Sequence, residues 1–250
     1  MLKGLLIDLD GVLFVEDEVI PGALDAVRFF KKEGFVIRFV TNTTTKPVKG
    51  IYQKLLGMGF PVEIEEVITT PRLAVDYLKT KNISKIHLIT NKEIQGDFVD
   101  FNITEREPEA IVIGDIGGTW DYNLINRLFR MVIDGAEIVA LHKGKYWKSK
   151  NGLLIDIGFF VAGLEYSTGQ EAVVIGKPSK PYFNIAVAST GLNPKELAMI
   201  GDDIVNDVAG AKKAGIKGIL VRTGKYNAEL VKNSGIEPDE IFDSIKDVVA

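Results

Sequence analysis

The sequence predicts an α/β fold in which a parallel sheet is interrupted by a second, smaller α/β domain. Short apolar runs rich in β-branched residues alternate with helical patterns along the 250 residues, as they do in parallel α/β sheets. The strand-like runs are almost continuously apolar, which is typical of strands covered on both faces. The alternation restarts after Pro71, and this restart indicates a second unit with its own strands.

The first series of elements contains three predicted strands and two predicted helices. The strands are GLLID, FVIRFVT and EEVIT. The first helix is expected between Pro21 and Gly34, because proline is favoured in the first helical turn and glycine just after the last one. The second helix follows the second strand and is expected within KPVKGIYQKLLGMG.

The second series has its own strands and helices before the chain returns to the first domain. It predicts, in chain order, the helix RLAVDYLKTK, the strands KIHLIT and AIVIGD, the helix YNLINRLFRMVIDG and the strand EIVALH. After FFVAGLEYSTG, the return predicts the strand AVVIG, the helix KPYFNIAVASTG, the strand ELAMIG, the helix NDVAGAKKAG and the strand GILVRTG. We therefore expect a core domain of residues 1–71 plus 174–250 and an inserted domain of residues 72–173.

Composition and charge exclude several classes of function. The chain is 46% hydrophobic and 26% charged, so it can bury a sizeable core. A net charge of −4 argues against nucleic acid or an anionic membrane as the partner. No apolar run is long enough to span a bilayer, and Asp8 and Asp10 interrupt any signal-peptide pattern. The absence of cysteine excludes thiolate metal ligands. A cytoplasmic protein is expected.

Polar residues gather at the ends of four predicted strands. In open α/β sheets, ligands bind beside the carboxyl ends of the strands. These residues come from distant parts of the sequence, yet we expect them to meet in one crevice. In chain order they are Asp8 and Asp10, Thr41 and Asn42, Lys177, and the group Asp202, Asp203 and Asp207.

Five carboxylates and one lysine would share this crevice. Two like charges about 4 Å apart repel by roughly 1 kcal/mol in water and about 4 kcal/mol at an effective dielectric near 20. Either some carboxylates are protonated or a cation lies among them. Oxygen ligands favour a hard ion, and we expect Mg²⁺ together with a phosphate oxygen. Lys177, the Thr41 hydroxyl and the Asn42 amide would bind the rest of the phosphate group.

The four motifs together resemble those of the haloacid dehalogenase (HAD) superfamily of phosphohydrolases. They are DLDGV, VTN, GKP and GDDIVND, in that order over nearly the whole chain. Within the superfamily the sequence is similar to the 4-nitrophenylphosphatase-like branch, in which an α/β cap domain lies between the second and third motifs. The resemblance implies a HAD-like core with a Rossmann-like, doubly wound parallel sheet, and it identifies the inserted α/β domain as a cap domain.

The resemblance also implies a role for each acidic residue. Asp8 would be the nucleophile that forms an aspartyl-phosphate, and Asp10 would be the general acid and then the general base. The Mg²⁺ ligands would be the Asp8 carboxylate, the main-chain carbonyl of Asp10, and Asp202. Asp203 and Asp207 would act through water or by orienting the lysine. Displacement at carbon needs neither an acid at the second aspartate nor a cation, so these residues favour phosphoryl transfer over dehalogenation.

Several of these residues also have structural alternatives. The first aspartate pair could simply end its strand, and the aspartates of GDD could cap the following helix. Asp207 could support the first helical turn electrostatically, and Lys177 could be a solvated surface lysine. His87 and His142 fall in the inserted domain, where we expect a packing or surface role. The segment 142–150, HKGKYWKSK, is either a lid that contacts anionic substrate or a solvated loop.

The expected function is a Mg²⁺-dependent phosphatase for a small phosphorylated substrate, with the cap domain excluding water. Neither nucleic acid nor a membrane is an expected partner, and a homodimer through the cap domain fits the resemblance. A rival function is a non-catalytic signalling module that binds Mg²⁺ and keeps a phosphoryl group on Asp8. A phosphotransferase that uses the same intermediate is a third alternative, because the cap domain decides the acceptor.

Overall fold

The computed structural model describes residues 1–149 and 152–249, and the chain forms two compact units. The first unit consists of Met1–Thr41, Val48–Ile68 and Lys177–Ala250. The second unit consists of Asn42–Pro47 and Thr69–Gly176. Each unit is built on its own parallel sheet, so the predicted α/β class with parallel sheets is confirmed.

Strands and helices alternate along most of the chain. The strands are β1 (Gly4–Asp8), β2 (Phe14–Val15), β3 (Glu18–Val19), β4 (Val36–Thr41), β5 (Val67–Thr69), β6 (Lys85–Ile89), β7 (Asn102–Ile103), β8 (Ala110–Ile113), β9 (Glu137–Ala140), β10 (Tyr146–Ser149), β11 (Gly152–Ile155), β12 (Val173–Val174), β13 (Leu197–Gly201), β14 (Lys217–Val221) and β15 (Glu240–Phe242). The α-helices are α1 (Ala23–Lys32), α2 (Val48–Gly57), α3 (Thr70–Thr80), α4 (Tyr122–Ile133), α5 (Ile157–Thr168), α6 (Lys180–Thr190), α7 (Gly210–Lys213) and α8 (Ala228–Ser234). None of the helices in the described ranges has both the length and the apolar character needed to cross a bilayer.

The sheet of the first unit has the strand order β15-β14-β13-β1-β4-β5. β1 pairs in parallel with β13 on one side and with β4 on the other, so that Ile7 lies opposite both Ile200 and Phe39. All residues of β1 and β13 are buried, as expected for parallel strands covered on both faces. Because these paired strands run in the same direction, their carboxyl ends lie along one edge of the sheet.

Helix α1 shows how this sheet is covered. Its buried side chains are Ala23, Ala26, Val27 and Phe30. Their spacing places them on one face of the helix, which is typical of an amphipathic helix on a core. They pack in one apolar cluster with strand residues such as Phe39. After the helix, Gly34 takes a φ of 80°, a left-handed conformation that glycine adopts at little cost.

The second unit has a smaller sheet with the strand order β12-β9-β8-β6-β7, and these pairings are all parallel. Leu128 of α4 and Val161 of α5 pack with Ile111 of β8 in an apolar cluster. The Trp120 and Phe160 rings stack with their centroids 4.0 Å apart. This unit therefore has a core of its own.

Some local elements differ from the sequence prediction. The strand expected at AVVIG on the return to the first domain is β12, which instead pairs with β9 in the sheet of the second unit. The helix expected over NDVAGAKKAG begins as a π-helix, Ile204–Ala209, and continues as the short α7. Segment 142–150, expected as a lid or a loop, contains β10, which pairs antiparallel with β11. Lys150 and the side chains of residues 147–149 lie outside the described part of the structure. The apolar pattern of NDVAGAKKAG fits both an α-helix and a π-helix, because the two helix types differ by only about one residue per turn.

Candidate active site

Three strand ends of the first sheet carry residues that the sequence predicted for the site. Asp8 is the last residue of β1, Thr41 is the last residue of β4, and Asp202 directly follows β13. The three strands are parallel neighbours, so these residues leave the same edge of the sheet. All three are buried, and buried carboxylates are costly unless their charge is compensated.

Lys177 compensates part of this negative charge. Its ammonium group donates hydrogen bonds to Asp8 Oδ1 and Asp207 Oδ1, both at 2.7 Å, and its side chain is only 3% exposed. Burial by itself lowers the pKa of Lys177, but the Asp207 and Asp8 carboxylates outweigh burial and hold that pKa well above its ordinary value. The lysine therefore stays protonated near neutral pH and fixes one oxygen of Asp8.

Asp207 is the second carboxylate that binds the Lys177 ammonium group. Its Oδ1 accepts the lysine hydrogen bond, and its Oδ2 accepts a hydrogen bond from the main-chain N–H of Asp203 at 3.2 Å. Burial raises the pKa of Asp207, against the lowering effect of the lysine charge. Both oxygens of this carboxylate are thus used within the protein.

Asp203 caps the π-helical turn that contains Asp207. Its Oδ1 accepts hydrogen bonds from the main-chain N–H groups of Val205 and Asn206, both at 2.9 Å. Its Oδ2 accepts a hydrogen bond from the Asn206 side-chain amide at 2.7 Å. The sequence left a capping role open for the aspartates of GDD, and Asp203 has that role here. A capping side chain satisfies N–H groups that the helix cannot pair internally.

Asp202 differs from Asp203 because one of its oxygens has no hydrogen-bond donor. Its Oδ2 accepts a hydrogen bond from the main-chain N–H of Lys225 at 2.6 Å. Its Oδ1 is buried, and no group in the described part of the chain donates to it. Burial raises the pKa of Asp202 to about 6, while the Lys225 hydrogen bond lowers it and the Asp8 charge raises it. A buried oxygen without a donor is placed to bind a cation.

The carboxylates of the site fit a divalent metal ion. One oxygen from each of Asp8, Asp202 and Asp207 lies within 4.8 Å of the others. Both oxygens of Asp207 are already hydrogen-bonded, whereas Asp202 Oδ1 is not. Asp8 and Asp202 are therefore better placed than Asp207 to bind an ion directly. Carboxylate oxygens are the ligands of hard cations such as Mg²⁺, and such an ion would remove the repulsion among these groups.

Asp10 is two residues beyond Asp8 and has an exposed side chain. Partial desolvation, followed by the Asp8 charge, raises the pKa of the Asp10 carboxyl group. Lys54, Lys225 and Lys177 act in the opposite direction and do not cancel this rise. A carboxyl group with a raised pKa keeps a proton more readily, which suits a general acid.

Tyr182 of α6 contacts the end of β4 and was not among the predicted residues. Its fully buried hydroxyl donates a hydrogen bond to the main-chain oxygen of Thr41 at 3.3 Å, and burial raises its pKa. Asn42 belongs to the second unit and is half-buried. Joint phosphate binding by Thr41 and Asn42 therefore stays a prediction.

The loop after β14 also contributes to the site, and the sequence analysis did not include it. Gly224 and Lys225 follow this strand, and Lys225 contacts Asp202 through its main-chain N–H. The strand itself was predicted, so the polar residues Thr-Gly-Lys after it could have indicated that this loop contributes to the site. Tyr182 gave no comparable signal, because it lies within an ordinary helical pattern.

The two histidines lie in the second unit, where the sequence analysis expected them in packing or surface roles. His87 on β6 is buried, and burial lowers its pKa. His142 follows β9, and its Nδ1 accepts a hydrogen bond from the main-chain N–H of Gly144 at 3.1 Å. Its Nε2 lies 3.8 Å from Asp156 Oδ1. Each of these contacts is internal to the second unit.

Comparison with known proteins places these residues in a family. Residues 5–104 match the family described as haloacid dehalogenase-like hydrolase, and residues 174–248 match one described as HAD-hydrolase-like. Haloacid dehalogenase-like hydrolase domain-containing protein 2 of Bos taurus is 39% identical, over 91% of this chain and 86% of its own length. Phospholysine phosphohistidine inorganic pyrophosphate phosphatase of Danio rerio is 33% identical, over 99% of this chain and 93% of its own.

Solved structures show the same likeness over the whole chain. The p-nitrophenyl phosphatase from Archaeoglobus fulgidus has a TM-score of 0.92 and 27% identity, covering 99% of this chain and 98% of that one. The 4-nitrophenylphosphatase from Thermotoga maritima has a TM-score of 0.90 and 26% identity, covering 99% and 96%. The chain therefore belongs to the haloacid dehalogenase-like hydrolase family, and within it to the phosphatases.

Proposed function

We propose that the protein is a Mg²⁺-dependent phosphatase that hydrolyses a small phosphorylated molecule through an aspartyl-phosphate on Asp8. The observation that carries this proposal is the buried group of Asp8, Lys177, Asp207 and Asp202, in which Asp202 Oδ1 has no donor among the described residues. Three carboxylates face one ammonium group, which leaves two formal negative charges. A divalent cation would balance these two charges.

The first chemical step would join Asp8 to phosphorus. Lys177 holds Asp8 Oδ1 at 2.7 Å, so the second carboxylate oxygen would attack the phosphoryl group. As the new O–P bond forms, the P–O bond to the leaving group breaks. Asp10 would give its proton to the leaving oxygen, and the raised pKa of Asp10 supports this assignment.

The second step would release inorganic phosphate and restore Asp8. Water would attack phosphorus while Asp10, now a carboxylate, takes a proton from that water molecule. The bond between Asp8 and phosphorus then breaks, and Asp10 is again protonated for the next cycle. Held by Asp8, Asp202 and the main-chain carbonyl of Asp10, Mg²⁺ would neutralise negative charge and polarise the phosphoryl oxygens.

The second unit, whose segment Thr69–Gly176 includes the whole predicted insertion 72–173, would act as a cap domain that chooses the leaving group and excludes water. Its separate parallel sheet and apolar core support a cap that folds as a body of its own. Relatives carry 4-nitrophenyl phosphate, phospholysine, phosphohistidine and pyrophosphate in their names, so phosphomonoesters, phosphoamides and pyrophosphate form the test panel. A homodimer through this unit stays a prediction.

The test is phosphate release from that panel, with excess Mg²⁺ and with EDTA. We expect sustained turnover only with Mg²⁺. Asp8→Asn should abolish turnover, because an amide is a poor nucleophile. Asp10→Asn should lower the rate by about 10²- to 10⁴-fold, the usual contribution of acid–base catalysis. Asp25→Asn, an exposed change in the first turn of α1, is the matched control and should leave the rate unchanged.

Two results would contradict the proposal. Near-wild-type turnover by Asp8→Asn at saturating Mg²⁺ would remove Asp8 as the nucleophile. A single stoichiometric burst without further turnover would instead favour a module that accepts a phosphoryl group and keeps it.

A further inference from the structure

We infer that Gly11, Gly224 and the main-chain N–H of Lys225 form a clamp around one oxygen of Asp202, and that the clamp keeps the other oxygen free for the cation. The inference rests on the proposed Mg²⁺ site. It gives a positioning role to the loop after β14 and to the glycine that follows Asp10. Neither segment binds the ion itself.

The clamp encloses Asp202 Oδ2 with main-chain atoms. The Lys225 N–H donates to this oxygen at 2.6 Å. A Cβ atom on Gly11 would overlap Asp202 Oδ2, and so would a Cβ atom on Gly224. The φ angles of the two glycines are +87° and +60°, so both backbones also adopt the left-handed conformation that favours glycine. Space and backbone conformation thus both call for glycine at these two positions.

The two glycine-bearing loops are tied to each other. The Thr223 hydroxyl donates a hydrogen bond to the main-chain oxygen of Gly11. A Cβ atom on Gly11 would lie 2.9 Å from the Cα atom of Gly224, closer than real side chains approach. The loops therefore meet at a distance that leaves room for a carboxylate oxygen and for no added side chain.

This enclosure makes the two oxygens of Asp202 unequal. Oδ2 has a charge-assisted hydrogen bond, which is stronger than a neutral one, whereas Oδ1 is buried and has no donor in the described part of the chain. A turn of the carboxylate away from this position would break the Lys225 hydrogen bond. The clamp therefore orients Asp202 before any ion binds. Loss of such outer contacts typically lowers metal affinity by about 10- to 100-fold.

The experiment compares Gly224→Ala with a control glycine of similar backbone. Gly235 has a φ of +67°, and none of the described residues lies within 4 Å of an added Cβ atom there. Gly235→Ala therefore reproduces the strain of a left-handed alanine without touching Asp202. The readout is Mg²⁺ binding to the full-length metal-free protein, measured by isothermal titration calorimetry and by the rise in Tm on adding Mg²⁺, both without substrate.

We expect Gly224→Ala to weaken Mg²⁺ binding by about 10- to 100-fold and Gly235→Ala to leave it unchanged. Thr223→Val loses only the hydrogen bond between the two loops and should weaken Mg²⁺ binding less. This variant tests the clamp if Gly224→Ala does not fold. Unchanged Mg²⁺ affinity in the folded variants, with normal binding by the wild type, would overturn the clamp alone. A wild-type protein that binds no Mg²⁺ would overturn both the proposed function and the clamp.

Discussion

Replacing Lys177 with methionine should destabilise the metal-free protein far more than the loss of an ordinary surface ion pair. The lysine is the hydrogen-bond partner of two carboxylates, and the side chains of Asp8 and Asp207 are only 10% and 1% exposed. Methionine keeps the apolar part of the side chain and removes the charge. Two buried carboxylates would then lose their hydrogen-bonded cation.

The size of the loss follows from this burial. Removing one partner of a buried ion pair typically costs about 3–5 kcal/mol, because the remaining charge is left uncompensated. For a chain of 150 to 250 residues, each kcal/mol shifts Tm by roughly 2–4 °C. Lys177→Met should therefore lower Tm by about 6–20 °C. The loss of about 3–5 kcal/mol is a large part of the roughly 5–15 kcal/mol that stabilises a typical protein against unfolding.

The assay is thermal unfolding followed by calorimetry in EDTA, so that no bound ion takes the place of the lysine. Lys217→Met is the matched control: its ammonium group also lies 2.7 Å from a carboxylate, on Glu240, but the two side chains are 33% and 42% exposed. Such an exposed pair contributes about 0–1 kcal/mol. Adding Asp207→Asn to Lys177→Met should recover part of the loss. Equal Tm losses in the two lysine variants would show that burial does not set the size of the loss.

Three further predictions test other parts of the molecule. As pH falls below about 6.5, the unfolded chain should take up a proton at His87 before the folded protein does, because burial lowers the folded pKa. Stability present above pH 6.5 is therefore lost on acidification, and His87→Gln should flatten the dependence of Tm on pH. Gly201→Ala should lower Tm, because its Cβ would overlap Asp207, whereas Gly163→Ala, in open space within α5, should raise it slightly; equal shifts would contradict this. Asp203→Ala should cost about 1 kcal/mol in urea unfolding through loss of the helix cap, and no change in midpoint would argue against it.

Local sequence patterns were sufficient to predict most strands of the first sheet and the polar residues at their carboxyl ends. Buried parallel strands are continuous apolar runs, so the strands that end at Asp8 and before Asp202 could be predicted without any knowledge of contacts. The rule that polar residues meet at strand ends then grouped them with Lys177 and Asp207. The structure brings these four side chains together.

The remaining features depend on contacts between distant segments. Residues 42–47 belong to the second unit, where the Asn91 side-chain amide donates a hydrogen bond to the main-chain oxygen of Thr45 at 3.0 Å. No local periodicity encodes that contact. Tyr182 joins the site through a single hydroxyl on an otherwise apolar helix face, and Lys225 joins it through its main chain. Almost any residue type could make a contact through its main-chain N–H, so the sequence does not indicate such a contact.

The π-helical turn at Ile204–Ala209 makes the helix type of this segment critical. The Asp203 carbonyl oxygen accepts hydrogen bonds from the N–H groups of both Asp207 and Val208, so the turn is wider than an α-helical one. If the segment became a regular α-helix with the same number of residues, its start would rotate by about 100° relative to α7, because the residue that the wider turn takes up would add one α-helical step. The lysine would then lose its second carboxylate. A redesign that made this helix a regular α-helix would therefore lose the hydrogen bond from Lys177 to Asp207.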